Sequence, residues 1–294
     1  MAHILKNKSL EIHVDLPLEH YNFSRFDWTG KIVNVIFQNV QMSTIESTDS
    51  ANAHNLGKGF YNEFGIDTAL GFDDTAVGGL FHKIGVGLLK KEDDQYQFHK
   101  TYIIKPATFK TLLKTDRLIM TCTSENVNGY AYLLKKEIVL KANGFIINYA
   151  LHNTGENPII TDEYVHNFTA IHNTAIGPEY SLKFPFQLQP TQFLATVNPQ
   201  QKAKIGQDAI TFNGRPSEPF FFSNLSGHTA VDAQWTLIHH KHNMAIRETG
   251  SFKTNKINLW GTAHVISPEL FIKISLKAGQ IKEWSRHYEV FKTA

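Results

Sequence analysis

A chain of 294 residues, 42% of them hydrophobic, is long enough for one large β domain or two ordinary ones. A formal net charge of +2 without a clustered basic stretch gives no field for nucleic acid. No apolar run approaches the roughly 18–20 residues a membrane helix needs. The N-terminal Met1–Lys8 lacks an apolar core and a small-residue cleavage site, so the cytoplasm is the default location. Cys122, the single cysteine, excludes an intrachain disulfide and a multi-cysteine zinc site.

Taken in chain order, strand signals dominate. Lys31–Phe37 alternates, and Ser24–Gly30 before it contains Arg25, which either pairs a carboxylate in the core or faces a substrate. Ser43–Gly79 is rich in glycine and acidic residues (Glu46, Asp49, Glu63, Asp67, Asp73, Asp74) and reads as a long loop roofing a groove. Gly78–Gly87 then presents His82 and Lys83 among glycines. Thr108–Asp116 has room for one or two helical turns at most, and Leu118–Thr123 alternates like a strand that buries Cys122.

Glu137–Leu140 leads through Asn143-Gly144 into Phe145–His152. This is a strong hairpin signal, because both turn residues tolerate the positive φ of a type I′ turn. Tyr149–Phe168 predicts a second hairpin around Asn153–Pro158, whose outgoing strand sets His166 between aromatic residues. On a strand, the aim and pKa of an imidazole are set by rigid neighbours. Further strands are expected at Trp235–His239, Leu270–Leu276 and Ile281–Phe291, with a turn at Lys277-Ala278-Gly279. Short strands closely punctuated by turns, without repeats or linkers, predict an all-β sandwich in one domain over residues 1–294.

Two candidate groups stand out for chemistry. His166 is one. Glu269, flanked by apolar residues in Val265–Phe271, is the other, since a carboxylate so placed is paired or raised in pKa. His239, His240 and His242 with Glu248 superficially suggest a metal site. Their spacing fits no standard ligand set, and alternation splits the histidines between two faces of a strand. No metal or other cofactor is expected.

The run Tyr164-Val165-His166-Asn167-Phe168 behind an Asn-Thr-Gly turn resembles the galactose mutarotase-like (aldose 1-epimerase) superfamily. So does the order Glu269, Gly279, Tyr288, Phe291. Ser24–Gly30 and Trp284–Tyr288 are similar to an uncharacterised subgroup, and the resemblance covers about Arg25 to Phe291. It implies a β-supersandwich that interconverts sugar anomers, with Glu269 as base at O1 and His166 as acid at O5, on opposite sides of the sugar. His82 or Lys83 and Arg25 would contact the sugar, and Phe168 and Trp260 would stack on it. The chain departs from the family in placing His82 after its glycines and in having no arginine between Lys31 and His82. The implied partner is a small sugar, with neither nucleic acid nor membrane, for a monomer or homodimer. Two other functions suit the same fold. One is a polysaccharide lyase or other carbohydrate-active enzyme using Tyr164 or Tyr180; the other is a sugar-binding protein without catalysis.

Overall fold

A computed structural model describes residues 2–49 and 55–293. Among the described residues the regular elements are antiparallel strands apart from two short 3-10 turns. The larger sheet has ten. Its central neighbours are Val231–His239, Met244–Thr254, Ile281–Lys292, Gly144–Asn153, Tyr132–Lys141 and Arg117–Thr123. A seven-stranded sheet runs in the order His3–Lys6, Leu10–Asp15, Lys31–Phe37, Phe60–Phe64, Ile159–Asn167, Ile272–Leu276, with Val40–Gln41 beside Lys31–Phe37. These two sheets share one core, to which Ile12, Val35, Phe60 and Val165 contribute from one side and Leu134, Ile147, Trp235 and Tyr288 from the other. Smaller sheets of four strands (including Ile257–Thr262 and Val265–Leu270) and three strands (including Leu80–Lys83) cover the outer side of the seven-stranded sheet.

That covering explains a sequence pattern. Phe60–Phe64 and Glu163–Asn167 are buried along their whole length, because both faces of their sheet are covered. On the His166 strand, Glu163, Val165 and Asn167 face the inter-sheet core, while Tyr164 and His166 face outward. Two-residue alternation separates a framework face from a chemical face.

Several local expectations are corrected. Tyr149–Phe168 is no hairpin: Gly144–Asn153 pairs within the ten-stranded sheet and Ile159–Asn167 within the seven-stranded one. The connection crosses between sheets, pinned by Asn153 Nδ2, which donates to the carbonyls of Asn157 (2.9 Å) and Leu276 (3.1 Å). The hairpin at Asn143-Gly144 forms, but Lys141 pairs with Gly144, so its loop residues are Ala142 and Asn143, neither at positive φ. Gly144 answers a different need, since a Cβ there would lie 1.9 Å from the Tyr288 carbonyl oxygen of the neighbouring strand.

The expected roof loop Ser43–Gly79 contains the central strand Phe60–Phe64. Its alternation is hidden because Asn62 and Glu63 are both buried. Residues 50–54 of that stretch lie outside the described residues. Thr108–Leu113 is a strand instead of helical turns. Leu270–Leu276 breaks at Phe271 into strands of two different sheets, so Glu269 lies near the end of a strand and not at its start. Ser24–Gly30 is irregular; its Asp27 amide bonds the carbonyl of Asn62 on a central strand, and its Trp28 amide that of Gly85 in the turn between Leu80–Lys83 and Gly87–Lys90.

Arg286 sits fully buried where three sheets meet. Its guanidinium donates to Glu163 Oε2 (2.8 Å), Glu248 Oε1 (2.5 Å) and the Leu270 carbonyl (2.8 Å). Glu248 also accepts from Trp235 Nε1 (2.7 Å) and Asn167 Nδ2 (3.0 Å). The Arg286→Met variant leaves both carboxylates without their cation. Chemical denaturation should show a loss of about 3–5 kcal/mol, and an unchanged midpoint would refute this role for Arg286.

Candidate active site

The strand carrying His166 runs on past Asn167 to a bridge between Thr169 and Ile266, with hydrogen bonds of 3.1 and 3.0 Å in the two directions. Counted back from this antiparallel bridge, Asn167 falls opposite Pro268 and His166 opposite Glu269. Pro268 has no N–H to donate; its carbonyl instead accepts Asn167 Nδ2 at 2.6 Å. The outcome is a direct contact, with His166 Nε2 3.3 Å from Glu269 Oε1. The expectation of groups on opposite sides of a sugar is therefore corrected: the two form one unit.

This unit lies at the base of a cleft of about 540 Å³. Arg25, Glu46, Tyr164, Asn258 and Trp260 line its walls, with Phe23 and Phe98 nearer the rim. Trp260 meets the His166 ring edge-on, with centroids 5.5 Å apart. The apolar wall together with converging polar groups is the usual make-up of a small-molecule site.

Burial governs the titration of the pair. Desolvation drives His166 well below the ordinary 6.5, and the nearby Arg25 charge adds to the effect. Desolvation pushes Glu269 up to about 8, reinforced by Glu63 and opposed by Arg25, an Asn258 hydrogen bond and Lys256. Both shifts favour neutral partners, so at neutral pH the pair holds one proton, and it rests on Glu269.

Among the other expected residues, the structure brings Arg25 and Trp260 to the cleft and leaves three behind it. Arg25 fills both of its alternative roles, lining the cleft while pairing Glu46 (2.8 Å) and Glu63 (3.1 Å), with the Phe26 and Phe98 rings 4.4 and 4.8 Å from its guanidinium carbon. Lys83 is buried behind the wall, donating to Glu63 Oε1 (3.2 Å), Tyr96 Oη (2.8 Å) and the Gly65 carbonyl (3.1 Å). His82, its strand neighbour, points the other way toward Tyr132 and does not line the cleft. Phe168 is also buried, stacked beneath the imidazole at 4.2 Å and 15°, so it holds the histidine instead of a sugar.

Four contributors escaped the sequence reading: Glu46 and Glu63 as partners of Arg25, Asn258 as a partner of Glu269, and Ser267. Asn258 stands opposite Glu269 in the strand register. Ser267, two residues before Glu269 and so on the same strand face, had a readable signal. Outside the lining of the cleft, His239 Nδ1 accepts the His242 amide (3.2 Å) and His240 Nε2 contacts Ser181 Oγ (2.9 Å).

No family model and no curated protein sequence matches the chain. Solved structures do. A protein described as a putative aldose 1-epimerase from Escherichia coli K12 superposes with a TM-score of 0.63 at 11% identity, covering 99% of each chain. The galactose mutarotase-like fold is the fold of this chain. A galactose mutarotase-like protein from Lactobacillus casei gives 0.61 at 12% identity over 99% of this chain and 100% of its own. The Slr1438 protein of Synechocystis gives 0.62 at 12% identity, over 100% and 96%. The all-β supersandwich expected from the galactose mutarotase-like resemblance is thus borne out. Among the described residues no helix is long and apolar enough to cross a membrane.

The buried acid also leaves a thermodynamic signature. Glu269 has a folded pKa of about 8 against an ordinary 4.5, so between those values the folded state holds a proton the unfolded state has released. Stability then falls as pH rises, by up to about 1.4 kcal/mol per pH unit. Below 6.5 the depressed His166 works in the opposite sense, since the unfolded imidazole binds the extra proton. The clear window is therefore pH 6.5 to 8. Across it, thermal melts should show Glu269→Gln gaining stability relative to wild type; parallel curves would contradict the raised acid.

Proposed function

We propose that the protein exchanges the anomers of an aldose by opening and reclosing its ring. The observation that carries this reading is the buried His166–Glu269 pair, in contact where both line the cleft. The two oxygens that must change protonation, O1 and O5, are bonded to the same carbon, so adjacent groups on one side of the sugar suffice.

With the resting proton on Glu269, the expected roles are exchanged. Glu269 gives its proton to O5 as the C1–O5 bond breaks, and His166 Nε2 takes the proton of the O1 hydroxyl. The open-chain aldehyde then faces an imidazolium and a carboxylate. Rotation about C1–C2 presents the other carbonyl face. O5 attacks C1 as Glu269 recovers its proton and His166 returns one to O1. Atoms and charge balance, and the pair ends as it began. Arg25 and Asn258 stand within the site to hold hydroxyls, and Trp260 offers an apolar face to the ring.

Charge at the site favours an uncharged sugar. Arg25 is the lone lysine or arginine among the described residues lining the cleft, and it already pairs two carboxylates. Neutralising a uronate or phosphate would require a cation free of such partners. The same argument disfavours a lyase. Tyr164 Oη donates to Glu63 Oε2 at 2.7 Å, and Tyr180 is bonded to Ile171 and Thr174 away from the cleft.

Polarimetry with freshly dissolved neutral aldoses, hexuronates and hexose phosphates tests the reading. Acceleration is expected for a neutral aldose and should survive exhaustive chelation, because the proposed steps are proton transfers between side chains. His166→Ala and Glu269→Gln should each lower kcat/KM by about a hundredfold or more. Sugar binding without acceleration over buffer would identify a non-catalytic protein. In the active protein, kcat/KM should fall above pH 8 as Glu269 loses its proton, and again well below pH 6.5 as His166 gains a second.

A further inference from the structure

Ser267 takes no part in the proton transfers above, yet its Oγ lies 2.6 Å from His166 Nδ1, and both side chains are buried. Ser267 and Glu269 stand two apart on one strand and project from the same face, so one strand holds both nitrogens of the ring opposite it. Phe168 stacks on the imidazole, while Phe26 and Trp260 meet it edge-on at 6.3 and 5.5 Å. Those aromatic contacts fix the plane of the ring and are indifferent to which nitrogen carries hydrogen. The in-plane polar contacts decide that.

We infer that Ser267 is a positioning residue that accepts a hydrogen bond from His166 Nδ1–H and so keeps the Nε2 lone pair directed at Glu269 and the cleft. The inference rests on the acid–base reading of the pair. For Nε2 to take a proton from O1 it must be bare beforehand, and the neutral ring then carries its hydrogen on Nδ1. When Nε2 is protonated, the imidazolium keeps that Nδ1–H, and the Ser267 hydroxyl oxygen accepts it in both states. A ring turned over about its long axis would put carbon at Ser267 and lose this bond. Ser267 thereby selects both orientation and tautomer, as the partner of the second ring nitrogen does for histidines that act through the first.

The test combines NMR with kinetics. In protein labelled with ¹⁵N-histidine, the His166 signals are those lost in His166→Gln. At neutral pH the wild type should show Nδ1 protonated and Nε2 bare. Ser267→Ala should lose that preference, lower kcat by about tenfold or more with KM within about twofold, and move the acid limb of the pH profile further down. Ser267→Thr, which keeps the hydroxyl, should restore the tautomer and most of kcat. An active wild type with the hydrogen on Nε2 overturns the role of Ser267 even if neither variant folds. An unchanged tautomer and kcat in Ser267→Ala does the same; both results leave anomer exchange itself intact, though the first also removes His166 Nε2 as the acceptor of the O1 proton. A wild type without mutarotation whose Nδ1–H tautomer is lost in Ser267→Ala upholds the Ser267 contact and removes the function instead.

Discussion

Arg286 is the constraint on which the arrangement depends. A guanidinium with no access to water must have its donors met, and here they are met by groups from three sheets: Glu163 on the His166 strand, Glu248 across the core, and the Leu270 carbonyl one residue beyond Glu269. The planar fork of arginine imposes direction as well as charge, so these partners are held in relative orientation and not merely close. Asn167 completes the clamp. It donates to Glu248 and to the Pro268 carbonyl while accepting from Tyr288 Oη at 2.9 Å. The residues adjoining His166 and Glu269 are thus tied to one buried polar network, and the pair inherits its spacing from that network.

The same economy of charge shapes the cleft. Lys83 and Arg25 stand on Glu63 from two directions, and Glu46 caps Arg25 from the side of the cleft. Two cations and two carboxylates cancel, and a protonated Glu269 adds no charge. Desolvated ions are tolerated when their partners are complete. That completeness leaves the His166–Glu269 pair in surroundings of low polarity, where an acid and an imidazole both prefer to be neutral. A neutral pair sharing one proton is the state from which O5 can be protonated and O1 deprotonated at once. Removing water from the pair produces the shifted titration on which the proposed chemistry relies.

His166 and Glu269 were both legible, for related reasons. Each is a titratable residue set among apolar neighbours in a strand pattern, and burying such a group demands a partner. Trp260 and Arg25 were legible in part. His82 and Lys83 illustrate the limit, since neighbours on a strand point to opposite faces and the sequence does not say which face meets the site. Lys83 turned toward Glu63 and His82 toward Tyr132. Phe60–Phe64 was unreadable as a central strand because burial on both faces erases alternation. Tyr149–Phe168 misled because a turn between two strands looks the same in sequence whether they pair with each other or part into different sheets.

The sequence by itself determined the class of structure: short strands separated by turn residues, no apolar segment for a membrane, one buried thiol, and a histidine and a glutamate placed where strands bury them. These follow from local properties, namely side-chain period, turn chemistry and composition. Which strands are neighbours, and hence that His166 and Glu269 touch, was decided only in three dimensions. Residues 166 and 269 are brought opposite one another by the bridge between Thr169 and Ile266. Strand register is a long-range choice, fixed by the fit of two cores and by the buried partners of Arg286, and no local pattern encodes it.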